Sequence, residues 1–385
     1  MTSVLFVNSG ILGMASFSTF IREAMADDPV IDAVHVDLSR DMSLDERVIR
    51  KILCMRLWRD GLLGMKNLDL ERMRSEVHAG LQARRRIGRL LADRPIDVLH
   101  FHRQATAYGS LNVMARVPSI VSIDSTQDIV IDAAPSAVER YTYSPNALMD
   151  GRVFRVAKAI VSTSQWAADL LRRRYPDCRT PVHVMPTPVR LQHFDSRWIE
   201  QRAARANEKG YLPRVVFMGG DFVRKGGTDL LRAWVDGRLH EIATLDLVTD
   251  WPMTSPLPQG VRIVRSLSAY SPEWAELWRA ADVFVLPSRQ DAFATVFQEA
   301  AAAGLPRIGT RIGAIPEAIH HEKDGLLVTP ADFSQLAAAL RRLIESPRLR
   351  EEFGRAGRGR AEHFGPARYA AALNAIVQSV VRPAA

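Results

Sequence analysis

Short apolar runs alternate with amphipathic helical stretches along the whole chain of 385 residues. The runs are rich in Val, Ile and Leu, as expected for strands that are buried on both faces of a parallel sheet. Neighbouring parallel strands need a crossover connection, which is usually a helix. The alternation therefore predicts repeated βαβ units and an α/β fold.

The apolar runs form two series with a charged stretch between them. The first series comprises residues 4–7, 33–36, 98–101, 120–123, 159–161 and 182–185, and the second comprises 215–218, 245–248, 261–264, 283–286 and Ile308. We predict an N-terminal Rossmann-like domain over residues 1–190, a linker over 191–212, a C-terminal Rossmann-like domain over 213–365 and a final helix over 366–385. Two such domains facing each other would form a ligand-binding cleft, because open α/β sheets bind ligands beyond the carboxyl ends of their strands.

The composition excludes several other classes of protein. A chain with 47% hydrophobic and 24% charged residues is expected to fold rather than to stay disordered. Two cysteines, Cys54 and Cys178, are too few for a disulfide scaffold. Charged residues interrupt every long apolar run, so no membrane-spanning helix is expected. The first residues lack the basic region of a signal peptide and run straight into a strand-like segment, so we expect a cytoplasmic protein.

The net charge of +8 is compatible with nucleic acid, an anionic membrane or a phosphorylated substrate as partner. Basic residues outnumber acidic ones between Arg47 and Arg94, and Trp58 and aliphatic residues are interspersed among them. This pattern is typical of a solvated helix face, and the alternative is peripheral contact with the inner face of an anionic membrane. Because the sequence contains no recognisable nucleic-acid-binding module, nucleic acid is not an expected partner.

Glycines follow the first apolar run of the N-terminal series. Gly10 and Gly13 lie where the chain passes from a strand to a helix, so the backbone there could approach a ligand near a helix N-terminus. They do not complete a dinucleotide-binding fingerprint. The pattern predicts either a tight turn or a contact with the acceptor or with a phosphate.

A second glycine pair, Gly219 and Gly220, follows the first run of the C-terminal series and precedes Arg224 and Lys225. Close backbone approach and two cations would suit a diphosphate. The spacing is not that of a P-loop, because glycine follows Lys225. An exposed basic turn is the alternative.

The third segment follows the run that ends at residue 286. Asp291 lies in a loop, and a helix is expected to begin near Thr295, so that the amides of Ala294, Thr295 and Val296 could point at a phosphate. Glu299 on that helix could accept hydrogen bonds from the two hydroxyls of a ribose. The alternative for Asp291 is an acid that is favoured by the dipole at the helix N-terminus. The alternative for Glu299 is a solvated position on the helix.

Taken together with residues 313–317 and 324–328, these segments resemble the family 4 retaining glycosyltransferases, which have the GT-B fold. The resemblance covers the C-terminal domain in order and includes Asp291-x7-Glu299 in the place of the E-x7-E motif. The N-terminal domain matches more loosely, through residues 97–102 and 161–167. The resemblance implies two Rossmann-like domains, with a C-terminal helix that crosses back to the first of them.

The same resemblance implies transfer of a sugar from a nucleotide-sugar, with UDP or GDP most expected, to a glycan, a lipid-linked sugar or a small metabolite. Its implied donor-binding residues are Gly219, Gly220, Phe293, Ala294, Thr295, Val296 and Glu299. Its implied catalytic residues are Arg224, Lys225, Asp124 and Asp291. Candidate acceptor-binding residues are Gly10, Gly13, His102 and Arg103.

The chain departs from the family pattern at several of these positions. Family members usually have glutamate at the position of Asp291, glycine at those of Ala292 and Ala294, and often arginine at that of Gly220. A histidine is common where Asp124 stands. These differences leave the donor sugar open, and they motivate a role for Asp124 in orienting the donor sugar or the acceptor hydroxyl.

No cofactor or metal is expected for the proposed chemistry. The chain has no Asp-x-Asp element after a strand, and His100 and His102 lack a third ligand at a spacing that suits zinc. Retention without an obvious nucleophile suggests a front-face displacement in which Arg224 and Lys225 stabilise the leaving diphosphate. The alternatives are a nucleotide-sugar epimerase or hydrolase of the same architecture and a non-catalytic carbohydrate-binding relative.

Overall fold

The computed structural model describes residues 1–9, 14–26, 28–40, 42, 44–55, 70–134 and 136–381. The chain divides into two compact units. The first unit is Met1–Thr187 together with Pro366–Ala385, and the second is Pro188–Gly365. The last helix of the chain therefore belongs to the first unit.

The first unit contains a six-stranded sheet. Its strands are β1 (Thr2–Asn8), β2 (Ile31–Asp37), β3 (Val98–Phe101), β4 (Ser119–Ile123), β5 (Ala159–Ser162) and β6 (Val182–Val184), in the order β2-β1-β3-β4-β5-β6 with every neighbouring pair parallel. Its helices are α1 (Met14–Met25), α2 (Leu44–Leu53), α3 (Glu71–Asp93), α4 (Leu111–Met114), α5 (Asp128–Ile131), α6 (Ala137–Thr142), α7 (Ser144–Val156), α8 (Gln165–Arg174) and α16 (Pro366–Val381). A short 3-10 helix, Gln104–Ala107, follows β3.

Both faces of this sheet are covered, which explains why its strands are apolar runs without alternation. Leu5 and Val7 of β1 point into one core, and Val4 and Phe6 point into the other. Helix α16 supplies part of the second core, where the Tyr369 ring packs edge-on against Phe20. The final helix is part of the first unit because, together with α1, it covers this face of the sheet.

The second unit has the same architecture. Its strands are β7 (Arg214–Met218), β8 (Thr244–Val248), β9 (Val261–Val264), β10 (Val283–Leu286), β11 (Arg307–Thr310) and β12 (Gly325–Val328), in the order β12-β11-β10-β7-β8-β9 with every neighbouring pair parallel. Its helices are α9 (Trp198–Arg205), α10 (Gly227–Asp236), α11 (Pro272–Ala280), α12 (Val296–Ala302), α13 (Ile315–Ala318), α14 (Phe333–Glu345) and α15 (Pro347–Ala361). The two parallel sheets agree with the predicted α/β class.

Two features of the second unit differ from the sequence-based expectation. Strand β12 was not predicted as a strand. Residues 191–212, predicted as a linker, are part of the unit itself. The linker prediction was wrong because Phe194 and Trp198 are buried in the same core as Trp274, and the Arg202 guanidinium donates to the carbonyl of Ala303.

The basic stretch from Arg47 to Arg94 lies in the first unit and is described in part. Its described residues include α2 and α3, while residues 56–69, with Trp58, lie outside the described residues. Among the helices that the structure describes, none combines the length and the apolar character needed to cross a membrane.

Candidate functional site

The chain of the second unit reverses its direction of travel across the sheet between β7 and β10. It runs from β7 outward to β8 and β9, and then returns to β10 on the other side of β7. Such a reversal opens a crevice at the carboxyl ends of the two strands, which is the usual ligand site of an open α/β sheet. The segments predicted to bind a diphosphate and a sugar follow these two strands.

The turn after β7 packs directly onto the end of β10. Gly226 has a φ of +78°, and a Cβ atom there would lie 1.9 Å from the carbonyl oxygen of Pro287. A Cβ atom at Gly227 would lie 2.2 Å from the ring of Phe222. Only glycine fits at Gly226, because both the backbone conformation and the space exclude a side chain. The basic turn is therefore held in contact with the following segment.

This packing brings Lys225 and Asp291 together, although they are 66 residues apart. Lys225 Nζ lies 2.5 Å from Asp291 Oδ2, and the Ser288 hydroxyl donates to the same oxygen at 3.2 Å. The side chains of Lys225 and Asp291 are 17% and 8% exposed. A cation and a carboxylate thus share one largely buried position at the switch point.

Arg224 lies beside this pair and is also paired in the ligand-free structure. Its Nε donates to Asp221 Oδ2 at 2.9 Å, and its NH1 donates to the carbonyl of Gln290 at 2.9 Å. The Arg224 side chain is 40% exposed, so a ligand can reach it. Gly219 and Gly220 lie immediately after β7, before the Arg224 turn.

The sequence reasoning missed several residues that hold these loops. Arg289 pairs with the buried Asp229 of α10, with Nε 2.7 Å from Oδ2. Thr310 Oγ1 donates to the carbonyl of Ser288 at 2.6 Å. The sequence signal for Asp229 was its place in the first turn of an amphipathic helix. A carboxylate that is buried at such a position needs a cation as its partner.

The segment between β10 and α12 is held by the following loop. The amide of Ala314 donates to the carbonyl of Ala292 at 2.9 Å, and a Cβ atom at Gly313, where φ is +53°, would lie 2.1 Å from the Asp291 carbonyl. The site candidates of this segment lie just before α12 or at its start: Ala294 is buried, Phe293 and Val296 are half-buried and Thr295 is exposed. The amides of residues 294–296 thus lie at the N-terminal end of the short helix α12, where backbone amides have no carbonyl partner within the helix.

Glu299 lies on α12 and is half-buried. Desolvation raises the pKa of its carboxyl to about 7. Hydrogen-bond donors from a ligand would stabilise the charged form of a carboxylate in such an environment. The hydroxyls of a ribose are donors of this kind.

In the first unit, Asp124 follows β4 directly and is half-buried, with the Ser125 hydroxyl 3.3 Å from its Oδ1. Arg103 follows β3, and its NH2 lies 3.3 Å from Glu76 Oε1. The structure places these two residues after neighbouring strands of one sheet. The glycines predicted to contact the acceptor, Gly10 and Gly13, lie outside the described residues.

His102, another acceptor-side candidate, is 3% exposed. Its ring packs edge-on against that of His100, with the centroids 4.7 Å apart. Burial and the neighbouring histidines His100 and His35 hold the pKa of His102 well below its usual value, so the ring is neutral. His100 Nε2 lies 2.8 Å from Ser122 Oγ, and burial lowers the pKa of His100 to about 3. Within the described part of the chain, no cluster of three or more His, Cys, Asp or Glu residues could hold a metal ion.

Comparison with known families gives two matches. The family described as "Glycosyl transferases group 1" matches residues 212–346, and the family described as "Glycosyltransferase Family 4" matches residues 70–193. The first match includes the switch point of the second unit. The second match includes the carboxyl ends of β3 and β4 in the first unit.

Individual relatives are also glycosyltransferases. The chain is 30% identical over 221 residues to MMP alpha-(1->4)-mannosyltransferase of Mycolicibacterium hassiacum, a match that spans 55% of this chain and about half of the relative (52%). It is 26% identical over 330 residues to D-inositol 3-phosphate glycosyltransferase of Pseudarthrobacter chlorophenolicus, spanning 80% of this chain and 76% of the relative. The solved structure of sucrose-phosphate synthase from Thermosynechococcus elongatus matches with a TM-score of 0.74 at 17% identity, covering 99% of both chains, and so shares the fold.

Proposed function

We propose that the chain, which matches two glycosyltransferase families and shares the fold of a solved glycosyltransferase structure, transfers a sugar from a nucleotide-sugar to an acceptor hydroxyl with retention of the anomeric configuration. The observation that carries this proposal is the Lys225–Asp291 pair at the switch point between β7 and β10. It joins a group suited to a phosphate with a group suited to sugar hydroxyls at the position where an open sheet binds its ligand.

The donor diphosphate would take over both cations. Lys225 would exchange Asp291 for a phosphate oxygen, and Arg224 would turn its exposed face to the diphosphate. Asp291, released from Lys225, would accept hydrogen bonds from hydroxyls of the donor sugar. Glu299 would accept hydrogen bonds from the ribose, and the base would be that of UDP or GDP.

In the chemical step, the acceptor oxygen forms a bond to the anomeric carbon while the bond from that carbon to the diphosphate oxygen breaks. The electron pair of the broken bond stays on the departing diphosphate, and the proton of the acceptor hydroxyl passes to a diphosphate oxygen on the same face. Arg224 and Lys225 stabilise the charge that develops there, and removing one such donor typically costs about 10²–10³ in rate. These two cations supply the charge for the step, so we propose that it needs no metal.

The first unit would bind the acceptor. Asp124 and Arg103 follow β4 and β3 at the carboxyl edge of its sheet, where they can meet a hydroxylated ligand. The Asp124 carboxylate can accept hydrogen bonds from hydroxyls, and the Arg103 guanidinium can donate them to an anionic group. A carbohydrate or a lipid-linked sugar phosphate would suit this pair.

The test is a thermal-shift screen of the purified chain against UDP, GDP, ADP and their sugar conjugates, followed by transfer assays with the nucleotide-sugar that binds. A ligand specific for the native state raises the apparent stability by mass action. Lys225→Ala is expected to abolish the shift and to lower transfer at least about 10²-fold. Lys209→Ala, which removes an exposed lysine of the same unit, is the control.

Three outcomes would contradict the proposal. Absence of any nucleotide shift would favour a non-catalytic carbohydrate-binding relative. Release of free sugar or an epimerised nucleotide-sugar, without an acceptor product, would favour a hydrolase or an epimerase. A product with inverted anomeric configuration would refute retention.

We also propose peripheral contact of the first unit with an anionic membrane, which would place the enzyme at the cytoplasmic face. Helix α2 exposes Leu44, Val48 and Ile52 (79%, 57% and 59% exposed), and Arg47 and Lys51 are exposed on the same helix. Exposed apolar side chains flanked by cations are typical of interfacial helices.

Sedimentation with vesicles of phosphatidylcholine and phosphatidylglycerol tests this contact. Binding is expected at low salt, with a marked decrease for Val48→Glu. Val235→Glu, at a valine of α10 that is 51% exposed, is the matched control. Equal binding of both variants and the unmodified chain, or no binding at low salt, would refute the contact.

A further inference from the structure

A buried polar network lies in the first unit, away from the residues assigned above to the donor. Its centre is the hydroxyl of Tyr108, which is 2.5 Å from Asp150 Oδ1 and 3.2 Å from Glu76 Oε2. Glu76 belongs to α3 and Asp150 to α7, and all three residues are 6% exposed or less. Two carboxylates therefore share one hydroxyl inside the unit.

Glu76 links this centre to three further elements. Its Oε2 accepts from Asn146 Nδ2 at 2.6 Å and from Gln127 Nε2 at 3.3 Å. Its Oε1 accepts from Arg103 NH2 at 3.3 Å, and Arg72 of α3 pairs with the same oxygen at 3.3 Å. One carboxylate thus holds the segment after β3 through Arg103 and the segment after β4 through Gln127.

Asp150 makes the second link between the same two segments. Its Oδ2 accepts from Gln104 Nε2 at 3.4 Å, and that amide also donates to the carbonyl of Ser125 at 3.3 Å. Ser125 is the neighbour of Asp124. The network therefore reaches the segment that directly follows Asp124 at two points, Ser125 and Gln127.

The free-energy cost of burying this polar network suggests that the network has a function other than stability. Burying two carboxylates is unfavourable, and apolar residues of similar volume often give equal or higher stability. What an apolar core cannot do is fix polar loop residues in one geometry by directed hydrogen bonds. Here the bonds end on the two loops at the carboxyl edge of the sheet, where the ligand of such a sheet binds.

We propose that Glu76, Tyr108 and Asp150 are positioning residues that hold Arg103 and the segment 124–127 in the geometry required to bind the acceptor. This inference rests on the proposed function, because it assigns the acceptor to these loops. The three residues do not touch the substrate themselves. They act through Arg103, Gln104 and Gln127.

The sharpest variant is Tyr108→Phe, which removes the shared hydroxyl and keeps the ring in the core. Tyr175→Phe is the control, since Tyr175 is 7% exposed in the same core and its hydroxyl donates to the backbone carbonyl of Ala147 at 2.9 Å. Both variants lose one buried hydroxyl. Of these two hydroxyls, only that of Tyr108 donates to Glu76 and Asp150 among the hydrogen bonds described.

Amide hydrogen exchange measures the anchoring without a substrate. The reporter amides are those of Thr106, which donates to the Arg103 carbonyl, and of Val130 and Ile131, which donate to the Gln127 carbonyl. Local opening sets their exchange rates. We expect about tenfold faster exchange in peptides spanning these amides in Tyr108→Phe, and a change of less than about twofold in Tyr175→Phe. Unchanged exchange in Tyr108→Phe would overturn the proposal.

Steady-state kinetics measure the consequence for the reaction. With the donor and acceptor found in the transfer assay, Tyr108→Phe is expected to lower kcat/KM for the acceptor about tenfold and to leave the KM for the nucleotide-sugar unchanged. An equal rise in both KM values would overturn the positioning role. If the unmodified chain binds a nucleotide but transfers nothing, the proposed function fails, while the exchange experiment still decides the anchoring.

Glu76→Gln provides a second variant in case Tyr108→Phe is too mild. The amide that it introduces keeps one acceptor oxygen and presents donors at the other position, so either Arg103 or the pair Asn146 and Gln127 loses its acceptor and at least one of the two loops should be released. Glu76→Asp keeps the charge and should restore part of the exchange protection. Equal effects of Glu76→Gln and Glu76→Asp would contradict a role that depends on directed hydrogen bonds.

Discussion

Lys225 Nζ and Asp291 Oδ2 lie 2.5 Å apart in a largely buried ion pair, so each of these opposite charges has its partner within the chain. In the proposed function, a diphosphate would displace the carboxylate from the ammonium. Part of its binding free energy would be spent on breaking this pair, and the released carboxylate would become available to another group. Donor binding would thereby couple the diphosphate position to the sugar position.

Asp291→Asn should separate the binding of the nucleotide from that of the sugar. Without the competing carboxylate, UDP or GDP alone is expected to bind about fivefold more tightly, which corresponds to about 1 kcal/mol. The nucleotide-sugar should gain less, because Asp291 no longer accepts from its hydroxyls, and transfer should fall by at least about tenfold. Calorimetric titration with nucleotide and nucleotide-sugar measures the difference. Weaker nucleotide binding in Asp291→Asn would refute the competition.

Glu299→Gln should change how stability depends on pH. The pKa of Glu299 is raised to about 7 from a usual value of 4.5, so the folded state favours the protonated form. Its contribution is fully present below about pH 4.5 and is lost as the pH rises through about 7. The variant should therefore gain thermal stability relative to the unmodified chain at pH 8 and show little gain at pH 4.5.

Asp150 contributes to the same pH dependence. Burial and the charge of Glu76 raise its pKa to about 7, against the hydrogen bonds from Tyr108 and Gln104 that lower it. Glu299→Gln alone should therefore remove only part of the loss of stability between pH 4.5 and 7. Thermal melts across this range measure it, and an unchanged pH profile in Glu299→Gln would contradict the assignment.

Gly226→Ala should destabilise the second unit strongly. The new Cβ would lie 1.9 Å from the Pro287 carbonyl oxygen, at a φ of +78° that side chains rarely adopt. A loss of more than about 3 kcal/mol is expected, or failure to fold. Gly359→Ala is the matched control: the added Cβ meets no atom within 4 Å in α15, and it should stabilise by about 0.5–1 kcal/mol. Denaturant unfolding measures both.

Leu373→Ala tests the placement of α16 in the first unit. Leu373 is fully buried in the core that α16 shares with α1 and the sheet, so its truncation should cost about 2–5 kcal/mol. Nucleotide binding by the second unit should be retained at temperatures where the variant is folded. Hydrogen exchange that rises in β1 and β3 but not in β7 and β10 is the expected signature, and a rise confined to the second unit would contradict the placement.

The α/β class could be predicted from the sequence because it depends on the local pattern of apolar and polar residues. A parallel strand covered on both faces must be apolar along its whole length, as Val4 to Val7 and Val283 to Leu286 are. Glycine turns and basic residues after such runs also show directly in the order of residues. The resemblance to glycosyltransferases was recognisable for the same reason, since the motifs that carry it are ordered along the chain.

What only the tertiary structure decided depends on residues far apart in sequence. The pairing of Lys225 with Asp291 and the support of Ser288 by Thr310 arise where neighbouring strands end side by side. The network joining Glu76 to Tyr108 and Asp150 arises where helices α3 and α7 pack together with the segment after β3. The local sequence pattern does not predict these contacts, because each partner by itself looks like an ordinary polar residue of a helix or loop. The same is true of residues 191–212. This segment is rich in charged residues, but its Phe194 and Trp198 side chains are buried in the core of the second unit.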